Sequence, residues 1–83
     1  MITKELNSNT PLYDIATIIR KDWNKIYFGA KPYLDAMSSL NHISDKYMFD
    51  DAKTIVRYFL ANASTWRGDT AKTVKTHLKS LVK

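Results

Sequence analysis

At 83 residues, with 45% hydrophobic and 25% charged residues, the chain is long enough for one modest core and for one domain only, spanning 1–83. Two glycines and two prolines leave few of the tight turns an all-β fold needs, so composition points to an all-α domain. The absence of cysteine excludes disulfides and thiolate chemistry, and the formal charge of +5 favours an anionic partner, whether nucleic acid, an acidic protein surface or anionic lipid.

In chain order, residues 1–9 are mostly polar, with Ile2 and Leu6 as the only anchors, and are expected to form a flexible arm. Thr10-Pro11 is a helix start, because threonine can cap and proline is tolerated in the first turn. Leu12, Ile15, Ala16, Ile19, Trp23 and Ile26 then make one helical face, with Asp14, Thr17, Lys21 and Asn24 opposite, so the first helix is expected to run to residues 25–27. Phe28-Gly29-Ala30 breaks this pattern. Pro32 restarts it in a shorter helix reaching about Asn41, whose inner face is Leu34 (or Tyr33), Ala36, Met37 and Leu40.

The periodicity fails between His42 and Phe49, which reads as a connection whose Ile43, Tyr47, Met48 and Phe49 fold back onto the core. Asp50 is a good N-cap for the next helix, and Asp51 adds negative charge to its first turn. Ala52, Ile55, Val56, Phe59, Leu60, Ala63 and Trp66 fall within one stripe of roughly 140° on a continuous helix. Gly68 can end that helix in a left-handed conformation and Asp69 can cap its successor, giving a helix-turn-helix-like hairpin.

The last helix has three sides. Ala71, Val74, Leu78 and Leu81 form a narrow apolar seam; Lys72, Lys75, Lys79 and Lys83 keep the same spacing one position on; Thr70, Thr73, Thr76 and Ser80 occupy most of the rest. From Arg67 onward there are five basic residues and one acid, +4, whereas the first 66 residues carry eight basic and seven acidic residues, +1. The positive field therefore belongs to this helix.

Several residue patterns, namely Tyr27-Phe28 followed by Pro32-Tyr33-Leu34 and Ala36-Met37, then Tyr58-Phe59-Leu60 with Asn62-Ala63, and Trp66-Arg67-Gly68 with Ala71-Lys72, resemble a group of short uncharacterised proteins carried by phages and integrative elements of bacteria. The resemblance covers residues from about 20 onward. It implies a mobile-element origin, supplies no activity and transfers no functional residue.

A lysine row can neutralise phosphates along a groove, with neighbouring hydroxyls bonding phosphate oxygens. Lysines on an exposed face also simply keep a small protein in solution. The first reading makes Arg67, Lys72, Thr73, Lys75, Thr76, Lys79 and Lys83 a nucleic-acid-binding set. A stricter helix-turn-helix reading, with Thr70, Lys72, Thr73 and Thr76 facing bases, fits only in part: Arg67, Asp69 and His77 stand where apolar residues belong, and Asp69 places a carboxylate at the end that would enter the groove. A second contact surface is Tyr27, Phe28 and Tyr33, which would serve a protein adaptor or inhibitor as interface aromatics, or else pin the Gly29 break to the core.

Arg67-Gly68-Asp69 and Asn62-Ala63-Ser64 spell adhesion and glycosylation motifs, but helix stop and start explain the first, and the second lies in a predicted helix. Asp45, Asp50 and Asp51 lack the ligand alternation of a calcium loop, and His42 and His77 have no partner to complete a zinc shell. No paired carboxylates, nucleophile with base, or phosphate-cradling glycine loop occurs, so no catalytic residue, metal or cofactor is assigned and a non-enzymatic binding protein is expected. No leader pattern follows Met1 and no apolar run reaches membrane-spanning length, which reads as a cytoplasmic protein. The predicted architecture is three main helices plus a shorter one.

Overall fold

The computed structural model describes Leu6, Asn7 and residues 9–83. The fold is mostly helical: α1 (Leu12–Asp22), a 3₁₀ turn (Phe28–Ala30) running into the short α2 (Lys31–Met37), then α3 (Ala52–Ala61) and α4 (Asp69–Leu81). A minimal antiparallel ladder departs from the all-α expectation, pairing β1 (Lys46–Tyr47) with β2 (Asp50–Asp51) in the register Lys46 opposite Asp51 and Tyr47 opposite Asp50. The molecule measures 31 × 27 × 20 Å, and no helix among the described residues is long and apolar enough to cross a membrane.

Most of the arm expected over 1–9 lies outside the described residues. Of its described part, Leu6 packs against the core, and Asn7 accepts the Thr10 N–H and the Asn9 N–H in a local turn. Thr10 is spent on that turn, its hydroxyl accepting from Asn7 N, so it does not cap α1. The first-turn N–H groups of Leu12 and Tyr13 instead donate to the carbonyls of Asn41 and Leu40, each at 2.9 Å, which satisfies the helix start by tertiary contact. At its other end α1 stops at Asp22, short of the expected 25–27, and Trp23 turns extended while donating to Ile19. α2 ends earlier than expected as well. Ser38 returns its hydroxyl to the Leu34 carbonyl, and the chain tightens through i→i+3 bonds to bury Leu40.

The connection at 42–51 is built on Asp45. Its carboxylate accepts the N–H groups of Asn41 and His42, which holds its pKa below the ordinary carboxylate value, and its carbonyl accepts from Ala52. Ile43 and Tyr47 pack against the core as expected, but Met48 and Phe49 do not: they form the hairpin tip and are 81% and 103% exposed. Asp51, not Asp50, caps α3, its Oδ1 accepting from Thr54 N at 2.9 Å and Thr54 Oγ1 at 2.7 Å. Asp50 and Asp51 both lie in the ladder, and Asp51, directly before Ala52, is the one whose carboxylate reaches the Thr54 N–H.

The second half departs from expectation in its backbone more than in its burial. α3 ends at Ala61, because Asn62 donates its side-chain amide to the Tyr58 carbonyl and the polar run that follows turns twice. Ala63 and Trp66 still enter the core as the stripe requires, since the turns Ala63 N to Leu60 O and Trp66 N to Ala63 O nearly keep the helical advance. Gly68 belongs to the start of α4, not the end of α3, and Asp69 is the first helical residue and not its cap. With φ 114° and ψ 179°, Gly68 occupies a region essentially reserved for glycine, and a Cβ there would meet no atom within 4 Å, so the requirement is conformational.

At the centre Trp23 and Trp66 stack at 5.8 Å, and Phe59 meets them edge-on at 6.3 and 6.5 Å. Around these rings lie Leu12, Ile15, Ile19, Leu34, Met37, Val56, Val74 and Leu78. Trp66 Nε1 donates to Asp22 Oδ2 at 2.8 Å, closing the end of α1 on the α3–α4 linker. Arg20 pairs with Asp35 at 2.6 Å between α1 and α2, and Arg57 donates to the Val82 carbonyl at 3.0 Å across α3 and α4.

Candidate nucleic-acid interface

α4 turns Ala71, Val74 and Leu78 into the core, with Leu81 partly covered, which fixes the direction of the remaining residues. Lys72, Thr73, Thr76 and Lys79 are exposed, and so are Arg67 before the helix and Lys83 after it. At 100° per residue Lys72, Thr76 and Lys79 form a straight row about 10 Å long. Among the described residues none of Arg67, Lys72, Lys79 and Lys83 has a carboxylate within ion-pairing distance, the Arg20–Asp35 bridge lying elsewhere.

Lys75 differs. Its Nζ donates to the Trp66 carbonyl at 2.5 Å and lies 5.9 Å from the centre of the Trp66 ring. Burial, with the like charges of Lys79 and Arg67, pulls its pKa below the ordinary lysine value. Of the four amines expected along one edge of the seam, three are therefore free at the surface and one closes the end of the α3–α4 linker. The charge of Lys75 still adds to the field of Arg67 and Lys79.

Asp69 stands exposed in the first turn of α4, so its carboxylate meets the helix N-terminus and leaves the row to the middle and C-terminal turns. His77, expected at the boundary of the seam, is partly buried. Its Nε2 has no hydrogen-bond partner, and burial lowers its pKa. His42 is occupied locally, its Nδ1 2.9 Å from Ser44 Oγ, and among the described residues no group of three His, Asp or Glu could hold a metal.

The aromatic surface is broader than its three predicted members. Tyr27 and Phe28 lie with centroids 5.0 Å apart, Phe28 being 75% exposed. Tyr33 is partly buried and packs at 5.5 Å on Tyr58, which is 52% exposed. Gly29 lets Tyr27 and Asn62 close in on the backbone between the pairs: a Cβ there would lie 2.5 Å from Tyr27 Cε2 and 2.9 Å from Asn62 Oδ1. Tyr58 was recoverable from its position off the apolar stripe of α3, whereas its pairing with Tyr33 was not. Comparison of the chain with protein-family models, with curated proteins and with solved structures gave no match.

Proposed function

We propose that the protein is a small non-enzymatic binding protein that contacts nucleic acid, or a nucleic-acid-bound complex, through α4. Arg67, Lys72, Lys79 and Lys83 neutralise phosphates, and Thr73 and Thr76 add hydrogen bonds to phosphate oxygens. The observation that carries this reading is a basic row without counter-ions among the described residues: the lysines of a merely solvating face have no reason to concentrate +4 in the last 17 residues while the preceding 66 stay near neutrality. Lys75 acts indirectly, bracing the α3–α4 linker and contributing field. The mechanism is charge neutralisation with little base readout, since Asp69 opposes entry of the N-terminal turn into a groove. The helix-turn-helix-like description of α3 and α4 and the mobile-element origin belong to this proposal, the latter resting on the resemblance of residues 20 onward.

The test is fluorescence anisotropy on a labelled oligonucleotide with the triple variant Lys72→Gln, Lys79→Gln, Lys83→Gln. Binding should weaken by at least ten-fold with the melting temperature preserved, because all three side chains are exposed. Equal binding by wild type and variant would refute the assignment. The second reading, docking on another protein, is favoured by the exposure of Phe28 and Tyr58. It requires that changes at Tyr27, Phe28 or Tyr33 abolish capture of a defined protein, while the lysine variant only slows association.

A further inference from the structure

We infer that the Tyr27–Phe28 and Tyr33–Tyr58 surface is a stacking platform for unpaired bases, which makes single-stranded nucleic acid the preferred ligand. This rests on the nucleic-acid reading of α4 and extends it to a second, chemically distinct surface.

Two observations carry it. The first is geometry. Each pair holds its own rings, with centroids at 5.0 and 5.5 Å and planes tilted by 55° and 38°, and Gly29 brings Tyr27 against Asn62, one turn of α3 beyond Tyr58. Rings fixed in this way present faces to solvent with little ordering left to do on binding, as base stacking requires. The second is charge. Neither segment that builds the surface, 23–34 or 52–68, contains a carboxylate, whereas together they carry Lys25, Lys31, Lys53, Arg57 and Arg67. Of the acids that border these segments, Asp35 is paired with Arg20, Asp51 caps Thr54 and Asp22 accepts from Trp66 Nε1, while Asp69 stands exposed beyond Gly68. Lys25 and Lys31 are exposed on either side of Tyr27 and Phe28. Exposed aromatics on segments that carry five cations and no acid, with acids only at their ends, fit a chain of phosphates and bases better than an average protein surface, where both signs would be met. A duplex keeps its base faces stacked inside and offers these rings nothing.

The experiment compares short labelled oligothymidylate with the corresponding duplex, by anisotropy at low salt, for wild type, Phe28→Ser, Tyr58→Ser, the double variant Lys25→Gln, Lys31→Gln, and the α4 triple lysine variant. The platform predicts tighter binding of the single strand than of the duplex. Phe28→Ser and Tyr58→Ser should each weaken single-strand binding about ten-fold and leave duplex binding unchanged. The Lys25, Lys31 variant supplies the same test without removing a ring, should either serine variant melt early. If the ring variants bind oligothymidylate as wild type does while the α4 variant fails, the platform is overturned and the α4 reading stands. If they lose a defined protein complex instead, the rings belong to a protein interface and the platform is again overturned. If wild type binds neither strand form at low salt, both readings fall.

Discussion

Two backbone positions with positive φ have opposite relations to their side chains. Gly68 at φ 114° sits where a Cβ is disfavoured whatever the space around it, so Gly68→Ala should destabilise the fold by roughly 1–3 kcal/mol. Met48 at φ 56° is the only described non-glycine residue in the left-handed region, in a two-residue hairpin loop where positive φ at the first position favours glycine. Because its side chain is almost wholly in solvent, Met48→Gly loses no packing and should stabilise the hairpin by about 1 kcal/mol. At this size 1 kcal/mol is about 4–8 °C, so thermal melts should separate the two variants in opposite directions from wild type. A Met48→Gly variant melting below wild type would mean that the loop is not held in this conformation.

At the scale of elements, much of the fold was legible because burial follows periodicity. The inner faces of α1, α2 and α4 are the apolar residues expected, and Ala63 and Trp66 are buried even where the backbone leaves the helix. Element ends were less legible, because tertiary partners decide them: the N–H groups of α1 find the Leu40 and Asn41 carbonyls, and Asp50 and Asp51 both enter a ladder too short to leave a periodic signal. Met48 and Phe49 misled for the same reason, since apolar side chains at a hairpin tip break the usual turn chemistry. In the candidate site the lysine row on α4 could be read from spacing, but the turn of Lys75 onto Trp66 depends on the linker path, which spacing does not contain.

The docking of α4 also has a pH signature. His77 places Nε2 in a buried position without a partner, and burial holds its folded pKa below the ordinary 6.5. The folded state therefore favours neutral imidazole and the unfolded chain binds more protons between the two values. The resulting stability is complete above 6.5 and is lost as pH falls through the lower, folded value. Melting temperature should decline on acidification from neutrality, and less steeply in His77→Leu, which removes the titrating nitrogen; parallel pH curves for the two proteins would exclude this role. The lowered Asp45 and Asp51 carboxylates act in the same direction but only below 3.8, where protonation releases the bonds to Asn41 and His42 and the cap on Thr54.

For the whole molecule, the aromatic centre of Trp23, Phe59 and Trp66 organises both candidate surfaces. Trp66 ties down the Asp22 carboxylate at its indole and holds Lys75 at its carbonyl, while Phe59 in the same helix as Tyr58 fixes which side of α3 faces out. Arg67, Lys72, Lys79 and Lys83 are left as surface cations with no carboxylate in ion-pairing distance among the described residues. The most direct measurement is the salt dependence of the binding constant on a short labelled oligonucleotide. Engagement of four phosphates predicts a slope of log K against log salt of about −4 on duplex and about −3 on a single strand. A binding constant nearly unchanged between low and moderate salt would contradict charge neutralisation by α4.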